Sequence, residues 1–391
     1  QLFWAPLSGG RQYSGVPYFR LDRRTGRGRG ASIVTLILNN QNVRDLLTMT
    51  DVIKVLEFAY KELAEGRGAL RRRSDTIVTS DTAPDAIYAL KSMDGVAPSL
   101  GVSAIRINSD IITHPQVGEN IRRVKVPAAP GNRYTGLVLL FSTETGEPLA
   151  IFPDGEVQPM RVAGTSALAA KYLARDGARS VALIGTGWQA QAQLRAIDTV
   201  HEIADYRVYS TQKQNRDRFA MEWSEKLGTQ IRPCDTAEEA VADADIVLLA
   251  TNSIEHVARE AWLEPGMHVS SIKSPEISAD VINRCDIAVC HVPHGRPTIE
   301  FGAGAALPET DGLDVDSLAQ KIGLADMPTL ADIVSGRRPG RTSEDQTTCF
   351  LNILGLGYQF AAVGSVLYKK AKEAGLGNEI ATDWLTQIEV P

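Results

Sequence analysis

The chain is poor in the residues that mark several common classes of protein. Its four cysteines, Cys234, Cys285, Cys290 and Cys349, show neither paired spacing nor the spacing of metal ligands. The six histidines are also scattered, so no metal site is expected. We therefore expect free thiols in a reducing compartment and a cytoplasmic location.

Long apolar runs and a strong excess of one charge are also missing. No run approaches the length of a membrane span, and the first residues lack the apolar core of a signal peptide. A formal charge of −6 and a pI near 5.6 do not indicate binding to nucleic acid or to anionic membranes. We expect neither partner, and 391 residues suggest two domains with separate cores.

Residues 1–33 differ in composition from the rest of the chain. The first thirty carry six arginines and much glycine, with almost no apolar periodicity. We expect a flexible extension. Its aromatic side chains could equally dock onto the folded body, and we assign it no function.

A short apolar run ends in two closely spaced glycines. Residues 181–184 resemble a strand, Gly185 and Gly187 follow, and Ala190 opens a helix-like segment. This is the G-x-G-x-x-A form of the dinucleotide fingerprint, in which the glycines allow a tight turn and close approach of a pyrophosphate. A second strand at 206–210 completes the spacing of a βαβ unit. The alternative is a turn with a structural role only. The pattern predicts nucleotide binding by Gly185, Thr186, Gly187, Trp188 and Gln189.

The end of that second strand lacks the carboxylate that would bind the ribose 2′-hydroxyl of NAD. Ser210 and Thr211 stand there, and Lys213, Arg216 and Arg218 follow. Hydroxyls and cations suit a 2′-phosphate, because charge-assisted hydrogen bonds to phosphate are strong. The alternative is that these cations only solvate a helix start. NADP(H) is therefore favoured, with NAD(H) as the second choice.

The remaining pattern predicts a mixed sheet followed by a doubly wound parallel one. A strand and two helices are expected first, the second helix capped by Thr50 with Asp51. A helix from Arg161 leads into the fingerprint strand, and residues 347–377 are expected to form one long helix. Strands are expected at 76–79, 86–90, 102–108, 135–142, 246–251, 268–272 and 287–292.

From about Val34 to Gly377, the chain resembles the ornithine cyclodeaminase and mu-crystallin family. The resemblance rests on GLVLLFSTETGEPLAIFPDGEVQPMRVAGTSALAAKYLA, VALIGTGWQAQAQL, DAD with IVLLATNS, LEPGMHVSSI and TTCFLNILGLG. It implies an α/β fold: a Rossmann domain with a doubly wound parallel sheet (161–339) is inserted into a split α+β domain (34–160 plus 340–391). The split domain would bind an amino or imino acid and form a homodimer. The resemblance also implies cofactor contacts from Thr165, Thr251, Asn252 and Ser271.

The family's substrate-binding arginines map onto two positions of this chain. Arg73 in LRRRSD fits the first, and Arg161 in PMRVAGTSA fits the second. A guanidinium can hold a carboxylate through two hydrogen bonds, so both would bind the substrate's carboxylate. The alternative for Arg73 is a solvated loop.

Two positions depart from the family pattern. Ser103 replaces a lysine that follows Gly-Val, which leaves Lys91 as the nearest ammonium. Arg106 is a weaker candidate, because strand parity points it to the face opposite Ser103. Pro275 replaces the aspartate that handles protons in cyclodeaminases, with Glu276 beside it.

These features favour an NAD(P)-dependent oxidoreductase acting at the α-carbon of an amino or imino acid. Lys91, Arg73 and Arg161 are its predicted catalytic residues. A cyclodeaminase that recycles bound NAD is the second hypothesis, and a non-enzymatic binder resembling mu-crystallin is the third. Cofactor consumption distinguishes the three.

Overall fold

The computed structural model describes residues 34–117, 120–121, 123–253, 255–293, 297–307 and 315–388. The predicted extension, residues 1–33, lies outside these ranges. The described strands are β1 (Val34–Ile37), β2 (Ala69–Leu70), β3 (Ser74–Thr79), β4 (Ile87–Ala97), β5 (Val102–Thr113), β6 (Gln116–Val117), β7 (Asn120–Ile121), β8 (Val124–Val126), β9 (Thr135–Ser142), β10 (Pro148–Pro153), β11 (Ser180–Ile184), β12 (Asp205–Tyr209), β13 (Ile231–Pro233), β14 (Ile246–Leu249), β15 (His268–Ser271), β16 (Ile287–Cys290), β17 (Thr298–Phe301), β18 (Thr348–Leu351) and β19 (Asn378–Ala381).

The described helices differ widely in length. They are α1 (Asn40–Leu46), α2 (Met49–Ala64), α3 (Val157–Leu173), α4 (Trp188–Val200), α5 (Lys213–Leu227), α6 (Ala237–Val241), α7 (Ala279–Arg284), α8 (Val315–Lys321), α9 (Leu330–Val334) and α10 (Gly357–Ala374). None of them combines the length and the apolar composition that a membrane crossing requires.

The first sheet is mixed. Its order is β17-β3-β4-β5-β9-β10-β1-β19, with β2 beside β4 and β8 beside β5. The pairs from β3 to β10 are antiparallel, whereas β10 with β1 and β3 with β17 are parallel. Helices α2, α3 and α10 pack against one another, and α10 covers one face of β4 and β5.

The second sheet is parallel throughout, in the order β13-β12-β11-β14-β15-β18-β16. The strand order changes direction at β11: β12 and β13 lie on one side of it, and β14 lies on the other. This is the Rossmann arrangement, and it places a ligand crevice at the carboxyl ends of β11 and β14. The predicted α/β fold class is confirmed.

Two strands lie across the predicted domain limits. β17 belongs by sequence to the predicted Rossmann segment, yet it pairs with β3 of the first sheet. β18 follows residue 340, yet it lies between β15 and β16 of the second sheet. The chain therefore crosses between the sheets more often than a single insertion at 161–339 would require.

The tail and one helix start correct the sequence predictions. The expected helix over 347–377 is instead β18, a turn and then α10, because the short run Thr348–Leu351 is buried between two parallel neighbours. Helix α2 is capped by Thr48 rather than Thr50, since Thr48 and Asp51 exchange hydrogen bonds in a capping box.

Candidate functional site

The fingerprint turn lies at the carboxyl end of β11. Gly185 has a φ of +118°, and a Cβ there would collide with the carbonyl oxygen of Ala250. Only glycine therefore fits between this turn and the end of β14. Helix α4 begins at Trp188, directly after Gly187, so the N–H groups of its first turn are available to an anion beside the turn.

A cavity of about 650 Å³ opens beside this turn. The ends of β11, β12 and β14 and the first turns of α4 and α5 form its walls. A strand edge and a helix N-terminus at one cavity suit a dinucleotide. The predicted cofactor residues that line it are Gly185, Thr186, Gly187, Trp188, Gln189, Ser210, Thr211, Thr251 and Asn252.

Helix α5 decides which cation faces the cavity. Arg218 lines it together with Asn215, three residues earlier. The predicted Arg216 is instead buried in an ion pair with Asp235, and Lys213 is bound to an aspartate one turn further along α5. Residues two apart project about 200° from each other on a helix, so Arg216 and Arg218 cannot share a face.

Ser271 lies behind the cavity wall rather than in it. Its hydroxyl donates a hydrogen bond of 3.0 Å to the carboxylate of Glu276, which is fully buried. The same carboxylate accepts hydrogen bonds from the N–H and hydroxyl of Thr251, at 2.6 and 2.9 Å. The backbone N–H groups of Ile272 and Lys273 donate to it as well, at 3.0 and 3.1 Å. Glu276 thus joins the loops after β14 and β15 and supports Thr251.

A second group of polar residues lies on the first sheet. The register of β4 and β5 pairs Lys91 with Asn108 and Met93 with Arg106. Directly paired residues project from the same face, so Lys91 and Arg106 lie on one side of the sheet. We call this the inner face, because α10 packs against it.

Three inner-face cations each hold a buried carboxylate. Every one of these carboxylates is therefore already paired with a cation of the protein. The pairs are Arg73–Asp75 at 2.8 Å, Lys91–Asp110 at 2.9 Å and Arg106–Asp154 at 2.6 Å.

Arg161, on α3, differs from these three. It is 4% exposed, and its Nη1 donates to the amide oxygen of Gln359 at 2.9 Å. Among the described residues no carboxylate forms an ion pair with it, and its buried Nε has no hydrogen-bond partner. Its guanidinium and that of Arg106 lie 5.2 and 5.7 Å from the ring centre of Phe360.

The charge of Arg161 persists at neutral pH. Burial, and then the positive charge of Arg106, lower the pKa of Arg161 to about 9. A buried guanidinium without a carboxylate is costly in isolation. It is correspondingly well suited to bind an anionic ligand.

A buried network of hydrogen bonds orients the side-chain amide of Gln359, which faces Arg161. The side-chain nitrogen of Gln359 donates to Thr165 at 2.6 Å and to Tyr60 at 3.1 Å. The Tyr60 hydroxyl lies 2.6 Å from one ring nitrogen of His291, and the other ring nitrogen lies 2.6 Å from the carbonyl oxygen of Leu354. A carbonyl can only accept, so His291 donates to it and accepts from Tyr60. Thr165, predicted to contact the cofactor, belongs to this network instead of lining the cavity.

Lys91 is a buried ammonium group whose pKa is lowered by its surroundings. It is 5% exposed, and its partner Asp110 also binds Lys125 at 2.9 Å. Burial, and then the guanidinium of Arg123, lower the pKa of Lys91 to about 8, although Asp110 opposes this shift. At neutral pH the group is protonated and close to the acidity that suits proton transfer.

The inner-face residues missed in the sequence had a visible signal. Arg106, Asn108 and Asp110 occupy every second position of an otherwise largely apolar strand, and all three are buried. Polar residues at a period of two predict a buried polar face. Arg106 faces away from Ser103, as strand parity predicts. The face on which Arg106 lies is the inner one, whereas Ser103 lies on the outer face.

The two sites are linked through α3. Gln158, one helical turn before Arg161, accepts a hydrogen bond of 2.8 Å from Gln189, which lines the nucleotide cavity. Residues three apart lie on adjacent parts of a helix surface. The arginine is therefore held close to the cavity's wall. The described residues contain no cluster of histidine, cysteine and acidic side chains suited to a metal ion.

Residues 33–375 match the ornithine cyclodeaminase/mu-crystallin family. The chain belongs to this family. A Δ1-pyrroline-2-carboxylate reductase of Bacillus cereus is 29% identical, over 88% of this chain and 99% of that one. An alanine dehydrogenase of Archaeoglobus fulgidus is 25% identical, over 88% of this chain and 98% of that one. The structure of Thermococcus litoralis Δ1-pyrroline-2-carboxylate reductase with NADH and L-proline superposes on this chain with a TM-score of 0.71. The two share 25% sequence identity, and the superposition covers 88% of this chain and 100% of the other.

The structure also locates the two positions that the sequence resemblance indicates as departures from the family pattern. Ser103, expected at the family's lysine position, lies on the outer face of β5 and pairs with Val96. Pro275, expected at the aspartate position of cyclodeaminases, lies in a short turn of helix whose last residue is the buried Glu276. Neither position supplies an ionisable group to the inner face.

Proposed function

We propose that this protein transfers hydride between a nicotinamide dinucleotide and the α-carbon of a small amino or imino acid. The observation that carries the proposal is the buried guanidinium of Arg161, which no carboxylate of the described residues neutralises; it lies one helical turn from Gln158, the hydrogen-bond partner of the cavity residue Gln189. An α-carboxylate would neutralise it. The named activities of the B. cereus and A. fulgidus relatives, imine reduction and amino-acid dehydrogenation, support this class of reaction.

The cavity around Gly185 fits a dinucleotide, because its glycine-limited turn leaves room for a pyrophosphate at the start of α4. The bound nicotinamide would donate or accept the hydride. Arg161 would hold the substrate's carboxylate, while Arg73 and Arg106 on the same face are each neutralised by an aspartate. Lys91 would give a proton to the nitrogen of the imine during reduction and take one back in the reverse direction. The protein's contribution is thus orientation and proton transfer.

The direct test is consumption of reduced cofactor. We expect NADPH oxidation with cyclic ketimine acids, or with a 2-oxo acid plus an amine, and NADP⁺ reduction with the matching amino acid. A decrease in nicotinamide absorbance that depends on enzyme and substrate would support the proposal. If the nucleotide raises the melting temperature of the protein but none of these substrates is turned over, the non-enzymatic binder is favoured.

We also propose that NADP(H) is the preferred cofactor. The cavity wall after β12 is formed by Ser210 and Thr211, with Arg218 one turn into α5, and no carboxylate stands there. Two hydroxyls and a guanidinium can all bind a 2′-phosphate. The NADH in the T. litoralis structure supports a nicotinamide cofactor, and the choice of phosphate rests on these side chains.

Ser210→Asp should reverse this preference. The new carboxylate would repel a 2′-phosphate and accept from a 2′-hydroxyl, so the Kd of NADPH should rise while that of NADH falls. Arg218→Ala should weaken NADPH alone, by about tenfold for one lost charged hydrogen bond. Lys213→Ala is the matched control, because that ammonium is 74% exposed and bound to Asp217. Fluorescence titration measures each Kd; equal affinities in the parent protein would refute the preference.

The outer face of the first sheet supports the proposal of a homodimer. Leu90 and Leu137 are 42% and 41% exposed there, and the register places Ile107 opposite Leu137 and Ile105 opposite Leu139. A continuous apolar face of this kind is unusual on a monomer. A second copy of the same face would cover it through a two-fold interface.

Leu137→Asp should convert the dimer to a monomer. A charge buried in an apolar interface costs several kcal/mol, about enough to shift the equilibrium by three powers of ten. Light scattering after size-exclusion chromatography gives the mass. Met221→Asp is the control, because Met221 is 69% exposed on α5 of the other sheet. A monomeric parent, or a Leu137→Asp variant that stays dimeric, would contradict the assignment.

A further inference from the structure

We propose that Asp110 and Lys125 are positioning residues that set the pH range in which Lys91 can donate its proton. This inference rests on the proposed role of Lys91 in the reaction. It goes further by assigning functions to two residues outside the proposed set of substrate-binding and proton-transfer residues.

The geometry is that of one carboxylate between two ammonium groups. Asp110 accepts from Lys91 at 2.9 Å and from Lys125 at 3.0 Å through its other oxygen. Lys91 and Asp110 are almost completely buried, whereas the side chain of Lys125 is 45% exposed. The three belong to β4, β5 and β8, so the pairing of β8 with β5 brings Lys125 to the buried pair.

The two neighbours act on Lys91 in opposite directions. The carboxylate of Asp110 stabilises the protonated form, and the charge of Lys125 destabilises it. Arg123, just before β8, acts in the same sense as Lys125. Asp75 lies opposite Lys91 on β3, but its carboxylate is bound by Arg73. Asp110 thus tunes the acidity through a direct hydrogen bond from Lys91, and Lys125 does so through its own hydrogen bond to Asp110.

A buried lysine without a carboxylate partner would be largely neutral near pH 7. It could not then protonate an imine nitrogen. The Asp110 carboxylate stabilises the protonated form of Lys91. The charge of Lys125 partly offsets this stabilisation, so that Lys91 can still release its proton. The sheet therefore places Lys91 between two opposing charges.

Opposite shifts of the pH profile test the inference. Imine reduction requires protonated Lys91, so kcat should fall as pH rises through its pKa of about 8. Asp110→Asn lowers that pKa and should move the falling limb toward acid by at least about one pH unit. Lys125→Met raises it and should move the limb toward alkaline pH by about half a unit. Lys125→Arg, which keeps the charge, should leave the limb in place.

The outcomes separate this inference from the proposed function. If Lys91→Met lowers kcat less than tenfold, Lys91 is not the proton donor; its proposed role and this inference then fail, while the hydride-transfer function stands. If Lys91→Met abolishes turnover while Lys125→Met leaves the limb unmoved or shifts it toward acid, only the inference is overturned. A structural role alone would lower activity equally at every pH. Because Lys125 lies at the surface, its variants test the inference even if Asp110→Asn does not fold.

Discussion

Replacing Arg161 with methionine should raise the KM for the imino acid by about one to two powers of ten. The lost interaction is a charged hydrogen bond to the substrate's carboxylate, which contributes about 1.5–3 kcal/mol. The Kd of the cofactor should stay constant, because Arg161 does not line the nucleotide cavity. Steady-state kinetics with the substrate that gives the highest turnover, alongside direct cofactor titration, measures both.

The same variant should fold at least as well as the parent. Arg161 is buried with no carboxylate partner among the described residues, so methionine removes an uncompensated charge from the interior. A melting temperature that is unchanged or higher, together with a large rise in KM, would show that this residue is kept for binding. Arg161→Lys keeps the charge but loses the planar fork, and should give an intermediate KM. Unchanged kinetics in a folded Arg161→Met protein would remove Arg161 from the site.

Ornithine should not be converted to proline. Cyclodeamination requires repeated proton transfers near the α-nitrogen, and Pro275, where the sequence resemblance places the aspartate of cyclodeaminases, has no group for them. Glu276 is next to it, but its carboxylate is fully buried and accepts five hydrogen bonds from Thr251, Ser271, Ile272 and Lys273. Moving Glu276 into the cleft would break all five.

The inner face adds a second reason. The carboxylates of Asp75, Asp110 and Asp154 are each already bound by a cation, so these three offer no unpaired negative charge to ornithine's distal ammonium. The assay is incubation with ornithine and catalytic NAD⁺, followed by measurement of proline and ammonia. Ser271→Ala and Thr251→Ala should loosen Glu276 without creating the activity. Proline formed at enzymatic rates by the parent protein would show that the lyase hypothesis was right.

Local pattern was sufficient for the nucleotide site. The fingerprint turn, its strand and its helix are contiguous in the chain, and the requirement for glycine at Gly185 follows from the turn itself. Most of the predicted cavity residues, from Gly185 to Gln189 and at Ser210 and Thr211, line one cavity as expected. Arg218 replaced Arg216 in that cavity, since the exact start of a helix decides which of two nearby side chains faces inward.

The substrate side was predicted less completely, because it is made by contacts between distant segments. Arg161 was identified from a motif and Lys91 as the ammonium nearest to Ser103, whereas the environment of both depends on tertiary contacts. Lys91 meets Asp110 only because β4 and β5 pair antiparallel, and Lys125 reaches them only through the pairing of β8. Gln359 was expected within one long tail helix that returns to the first domain; the location of β18 between two strands of the second sheet was not predicted.

The amino-acid sequence by itself determined the strand-turn-helix of the nucleotide site, the alternation of elements and the family, since each depends on residues close together in the chain. Tertiary structure alone decided which charges are neutralised. Arg73, Lys91 and Arg106 each received a carboxylate, whereas Arg161 received the neutral amide of Gln359. The physical reason is that the free energy of a buried charge depends on its nearest partners, and those partners are 2 to 198 residues away along the chain.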